Sequence, residues 1–296
     1  MRRLILTGVL GVLLIAGVVF WPRADDWLAM NTYDGETYRV LFVRPGRGEA
    51  PETRGCDAVW AYGAQGHRVY AVVLGEDGAY RPTICDPVAE EQSAPMNVAV
   101  YDSYAGFHAD GRIVTASRFG DTIDLVILDP DGSPDRLTDD TFRNSDPDWS
   151  PDGRTILFRS NRSGSSDLWT LDLETGGMTR LTDDPDNDSH RGYGGEGPGR
   201  FSPNGRMIVW NCTGGEDRSN VCVMNANGSN PRRLTPGTRR DEGLYPAWHP
   251  SGTRIVFGMS DGETYTLYEI GVDGSAPVRI PDQGETSNLG GVWVRG

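Results

Sequence analysis

The sequence predicts an all-β fold: a β-propeller of four-stranded antiparallel blades behind one apolar N-terminal helix, with six blades favoured over five. Three observations predict it. An aromatic residue, a tight turn and an apolar run recur from positions 60, 107, 149, 201, 248 and 293, which are 47, 42, 52, 47 and 45 residues apart. Each unit holds a second tight turn between two further strand-like runs. The two ends of the repeating region also resemble one another, as they must if each supplies part of one blade in a closed ring.

The clearest copies are "FHADGRIVTAS" from Phe107, "WSPDGRTILFRS" from Trp149, "FSPNGRMIVWN" from Phe201 and "WHPSGTRIVFG" from Trp248. In Ser150-Pro151-Asp152-Gly153 the proline fixes φ for a type I turn and the glycine ends it. Ile156-Leu157-Phe158 then reads as a strand buried on both faces. A polar loop, "SNRSGSSD", leads to another strand, "LWTLDL". The second tight turn recurs as Asp131-Gly132, Thr175-Gly176-Gly177, Asn227-Gly228 and Asp273-Gly274. A last strand ends in "DRLTDD", "TRLTDD", "RRLTPG" or "VRIPDQ". A looser copy, "WAYGAQGHRVYAVV", starts at Trp60, and a truncated "WVRG" ends the chain from Trp293. The rest of that last unit is expected at the other end. "DGETYRVLFVRPGRGEAPETRG" from Asp34 resembles "DGETYTLYEIGVDGSAPVRIP" from Asp261, so residues near 34–56 are read as outer strands around an inner strand at 289–295. An ungapped alignment of 58–84 with 254–280 is the alternative that gives five blades.

The W-S-P-D-G turn, the S-N-R-x-G loop and the R-L-T-D ending resemble the WD-like repeats of TolB-type β-propellers. Extracytoplasmic peptidases of the prolyl-oligopeptidase type carry similar blades. The resemblance is fullest over 146–236, extends over 98–145 and 237–296, and is thin before 98. It implies a propeller that binds other proteins in the cell envelope. The short stretch between the apolar segment and the first strand leaves no room for the helical N-terminal domain of TolB, so partners particular to that system are not carried over.

The N-terminal segment runs uncharged from Leu4 to Trp21 behind Arg2 and Arg3; its eighteen residues reach roughly 27 Å as a helix, close to a bilayer core. No small-x-small cleavage site follows, and the basic flank places the N-terminus in the cytoplasm. The resulting plan is a signal anchor or signal peptide over 1–23, a linker over 24–33 and the propeller over 34–296. It predicts an extracytoplasmic domain tied to the cytoplasmic membrane through residues 4–21. The four cysteines agree with export: Cys212 and Cys222 flank a polar turn and could face each other across a hairpin, leaving Cys56 and Cys85 as the second pair. Four unrelated buried thiols are the alternative.

Composition excludes some partners and chemistry. A net charge of −14 repels phosphate backbones, so nucleic acid is not an expected partner. No G-x-S-x-G elbow is present, nor the further length of an α/β-hydrolase domain. Of four histidines, His108 and His249 occupy the turn position held elsewhere by Ser150 and Ser202, and His67 follows the equivalent turn. Only His190 lies elsewhere, so the chain is read as no enzyme and as needing no cofactor. Asp184, Asp186 and Asp188 are spaced like half a calcium loop, but Ser189 and Gly195 stand where that loop needs Gly and Glu. A calcium site of another geometry stays open there, beside a plain solvated connection.

In a four-stranded meander the second-to-third loops and the blade-to-blade connections share one face, and here these are the long ones. That long-loop face is the expected docking site for an envelope protein or peptide, on a monomer. Its candidate contacts are Arg159, Arg162, Asp184, Asp186, Asp188, His190, Arg191, Tyr193, Arg239, Arg240 and Tyr245. The opposite, short-turn face is expected to be plain. A cation-dependent propeller that binds or cleaves polysaccharide is the rival reading.

Overall fold

A computed structural model describes residues 26–34, 36–96, 100, 105–183, 198–214, 218–235, 245–260, 264–284 and 287–294. Its strands form six antiparallel sheets, the six blades of a propeller. The closing blade joins the two ends of the chain: β1 (Trp27–Tyr33) and β2 (Tyr38–Val43) pair with β23 (Ser287–Val294) as its innermost strand. The second blade is β3 (Trp60–Gln65), β4 (Arg68–Leu74), β5 (Tyr80–Asp86) and β6 (Glu91–Gln92). The third is β7 (Ala105–Phe107), β8 (Ile113–Phe119), β9 (Thr122–Leu128) and β10 (Pro134–Arg136). The fourth is β11 (Asn144–Trp149), β12 (Thr155–Ser160), β13 (Asp167–Asp172) and β14 (Met178–Arg180). The fifth is β15 (Gly199–Phe201), β16 (Met207–Gly214), β17 (Arg218–Asn225) and β18 (Arg232–Arg233). The sixth is β19 (Ala247–Trp248), β20 (Arg254–Ser260), β21 (Tyr265–Gly271) and β22 (Val278–Arg279).

The repeat motif explains this architecture residue by residue. In the fourth blade the Ser150 hydroxyl accepts the Thr155 amide at 2.9 Å and donates to Asp152 at 2.6 Å, while Gly153 takes φ +70° and donates to the Ser150 carbonyl. Ser202 repeats the arrangement with Met207 and Asn204. The R-L-T ending is a second device. Thr138 Oγ1 accepts the Leu125 amide at 3.0 Å and donates to the buried Asp124, which Arg136 reaches at 2.7 Å. Thr182, Arg180 and Asp167 repeat this in the fourth blade, and Thr235 takes the Val221 amide in the fifth. In the sixth, Gln283 Oε1 accepts the Leu267 amide instead. Burial pushes the Asp124 pKa up, but Arg136, Thr138 and Thr122 outweigh it and hold the group below its ordinary value.

Ile156, Leu157 and Phe158 are all fully buried because each blade is covered on both faces. Ile156 and Phe158 join Val114, Leu125 and Ile127 of the third blade, whereas Leu157 joins Ile208 and Trp210 of the fifth. Each of the six clusters fills the gap between one blade and the next. Burying a side chain of this size stabilises the fold by about 1.5–3 kcal/mol.

Closure follows the predicted scheme with two corrections. Residues 27–33, expected as linker, are the second strand of the closing blade: Leu28, Ala29 and Met30 are fully buried, and the buried Asn31 is satisfied by Ala61, donating at 2.9 Å and accepting at 2.8 Å. Glu52 bridges Phe42 in the fourth-strand position. The second correction concerns Trp60. The aromatic position nearest the first turn pairs with Ile113, Ile156, Ile208 and Ile255 in the regular blades, and its equivalent opposite Val69 is Ala64. An irregularity between Ala61 and Gly63 shifts the register, and Trp60 stands at the other end of its strand.

Both expected disulfides form. Cys56–Cys85 ties the closing blade to the second, and Cys212–Cys222 joins the neighbouring strands β16 and β17. The proposed membrane segment over 4–21 lies outside the described residues.

Candidate functional site: the two ends of the propeller axis

The six innermost strands surround an axial channel. One residue before the aromatic position, each strand sets a residue toward the axis: Gly63, Gly106, Asp148, Arg200, Ala247 and Val292, opposite Tyr70, Val114, Leu157, Val209, Val256 and Ala29. Four are glycine, alanine or valine; the two charged ones stand on adjacent blades. Gly106 is required here, because a Cβ would lie 2.8 Å from the Asp148 Cα.

On the short-turn side the channel widens into a funnel of about 400 Å³, rimmed by His108, Pro151, Pro203 and Pro250. Asp148 Oδ2 accepts the Phe201 amide at 2.8 Å, and Arg200 Nη1 donates back to the Pro147 carbonyl at 3.3 Å and to that of Gly199 at 3.2 Å. Desolvation pushes the Asp148 pKa up to about 6, opposed by Arg200 and by the amides of Phe201 and Trp149. The side expected to be plain therefore carries the larger axial cavity.

On the long-loop side a second, small space of about 20 Å³ lies between Trp60, Arg200, Tyr245 and Pro246, room for about one water. Trp60 and Tyr245 meet edge to face there at 5.5 Å between ring centroids. Tyr245 holds φ at +39°, a strained value for a residue with a side chain. The aromatic row continues outward from Trp60 to Tyr38 at 6.1 Å and to Tyr33 at a further 4.7 Å. Every aromatic ring classed as exposed among the described residues, those of Tyr38, Tyr80, Phe119 and Phe142, stands at the long-loop ends of the strands or in a connection on that face.

Of the candidate contacts, Tyr245 meets the axis as just described. Arg159 is paired with the buried Asp146 at 2.8 Å. Arg162 reaches Asp140 at 3.1 Å and Asn144 at 2.9 Å, touches Met178 Sδ and lies over Phe142, Phe158 and Trp169. Both guanidinium groups thus bind neighbours within their own blade. Asp184, Asp186, Asp188, His190, Arg191, Tyr193, Arg239 and Arg240 lie outside the described residues, and with them the possible calcium loop. Among the described residues no group of three or more His, Cys, Asp or Glu could hold a metal ion.

The described histidines are turn residues. His108 pairs with Asp110 at 2.8 Å, and His249 contacts Ser251 at 2.8 Å and Arg254 at 3.0 Å. His67 lies 3.2 Å from Asp86. Asp148 and Arg200 were missed in the sequence. The signal was there: aligning the copies on the aromatic position shows opposite charges one residue before it in two adjacent repeats.

Comparison with known proteins agrees with the propeller fold. An uncharacterized protein of Agrobacterium fabrum is 25% identical over 199 residues, 66% of this chain and 64% of that protein. The Tol-Pal system protein TolB of Francisella tularensis subsp. mediasiatica is 32% identical over 124 residues, 40% of this chain but only 26% of that protein. This chain therefore spans less than two-thirds of the length of these relatives. The crystal structure of TolB from Acinetobacter baumannii superposes with a TM-score of 0.72 at 19% identity, covering 93% of this chain and 68% of that one. The family described as the TolB beta propeller domain matches residues 97–289, and the chain belongs to it.

Proposed function

We propose that this chain is a non-catalytic, extracytoplasmic propeller that docks an envelope protein or peptide on its long-loop face, with residues 4–21 as its membrane anchor. The observation that carries the reading is the confinement of the exposed aromatic rings to that face, because aromatic anchors on a rigid scaffold dominate protein recognition. Family membership and the name of the Tol-Pal relative support a protein partner in the envelope. The two disulfides support an oxidising compartment. Topology adds an orientation. β1 starts beside the end of β23, on the short-turn side, so an anchor ahead of it leaves the long-loop face pointing away from the bilayer.

The test is capture from envelope extract by the full chain, with and without calcium, beside two variants. One carries Tyr38→Ser, Phe119→Ser and Phe142→Ser; the other has Asp184, Asp186, Asp188 and Arg191 changed to Ala. A protein held by the wild type and lost from the aromatic variant supports the docking face. Retention governed by calcium alone would turn 184–188 into a metal site, and equal retention by all three proteins would remove this face as the docking surface.

A further inference from the structure

The short-turn funnel is a separate feature, and its chemistry is asymmetric. Its volume of about 400 Å³ lies near the lower end of the range of about 300–1,000 Å³ usual for small-molecule sites. Ala64, Phe107, Phe201, Ala247, Val292 and Trp293 give it apolar walls, so an alkyl chain inside loses water on several sides at once. Asp148 and Arg200 are the charged residues lining it, and they are not equally available.

Asp148 is a half-buried residue lining the funnel, with its Oδ2 steadied by the Phe201 amide. Arg200 is committed elsewhere. Its Nη1 donates to two backbone carbonyls, and its side chain also lines the small space beside Trp60 and Tyr245. A carboxylate ligand would have to compete with those carbonyls and face Asp148 as well. A cation shares the desolvated Asp148 carboxylate with the Arg200 charge that already acts on it, but takes no donor away from Arg200, and the net charge of −14 draws it in.

Apolar walls beside one carboxylate complement an apolar stem that ends in a positive head. We propose that the funnel is a binding site for an alkylammonium group, supplied either by a free aliphatic amine or by a lysine side chain on a polypeptide. The site lies on the opposite face from the docking surface and stands or falls independently of it.

The experiment titrates the full-length protein at pH 7.5 with n-butylammonium, with acetyl-Gly-Lys-Gly amide, with butyrate and with calcium. Heat and tryptophan emission are the readouts, the latter because Trp149, Trp248 and Trp293 line the funnel. Saturable binding of the amine or the lysine peptide is expected, and which of them binds more tightly identifies the source. Asp148→Asn, checked for folding by circular dichroism, should weaken binding about tenfold or more, the usual scale for losing a charged hydrogen-bond partner. Ala247→Phe leaves the carboxylate in place but fills the funnel, and should abolish binding. The proposal is overturned if neither amine probe binds saturably, if both folded variants bind like the wild type, or if butyrate or calcium binds in preference.

Discussion

The fourth blade and the closing blade are built in opposite ways. The fourth is one continuous stretch, with its turn, buried strand and R-L-T ending in sequence order. The closing blade takes its innermost strand from the C-terminal end and its next two from residues 27–43, so the ring shuts only when distant segments meet. Local devices hold the first; tertiary ones hold the second, among them Asn31 against Ala61 and the Cys56–Cys85 bond. The difference teaches that a repeat protein's stability is uneven, lowest where its closure depends on contacts distant in sequence.

The sharpest test replaces one fully buried phenylalanine in each blade. Phe158→Ala and Phe42→Ala should each cost about 3–5 kcal/mol in denaturant unfolding. Native-state hydrogen exchange should then separate them. The Phe42 variant should open the amides of β1, β2 and β23 well below the global free energy, and the Phe158 variant should not open its own blade early. Identical exchange patterns would break the comparison.

The disulfides sharpen it further. Cys56 and Cys85 are 29 residues apart and join two blades, whereas Cys212 and Cys222 are 10 apart within one. Loop entropy alone predicts that replacing the first pair with alanine costs about 3.5 kcal/mol and the second about 1 kcal/mol less. Thermal unfolding of the two double variants reads the difference, and an equal loss would mean that the closing blade gains nothing special from its staple.

The smallest effect concerns Asp148, on the inner strand of the regular blade. Its folded pKa of about 6 lies above the ordinary 3.8, so between those values the native state holds more protons than the unfolded one. This group's contribution is best below about pH 4 and declines as pH rises through 6, by roughly 1–2 kcal/mol once water in the funnel is allowed for. Asp148→Asn should flatten that slope in melting temperatures taken from pH 4 to pH 7.5. An unchanged slope would mean the carboxyl is better solvated than its surroundings imply.

Much of the fold was legible because the repeat writes each blade in local chemistry. Ser150 to Gly153 announce a turn, Ile156 to Phe158 a doubly covered strand, and the ring closure showed in the DGETY copies. β1 was not legible, since "WLAMNTY" has no turn before it and holds Asn31 and Thr32, polar residues tolerated inside because partners satisfy them. Trp60 misled for a related reason: the irregularity after Ala61 slides the strand under its motif. Of the candidate contacts on the long-loop face, which stays a proposal, Tyr245 is the one that the structure sets at the axis. The sequence also nominated Arg159 and Arg162, whose local ion pairs only coordinates reveal. The axial charges escaped because such a site draws one residue from each of several repeats.

Among the described residues, the Trp60–Tyr245 contact lies on the axis opposite the mouth of the funnel, beside a space of only about 20 Å³. A solute held in the proposed funnel site would meet that contact at its inner end. Its exchange would then depend on the outer mouth, lined by Pro151, Pro203 and Pro250, whose fixed φ angles give that mouth little freedom to widen.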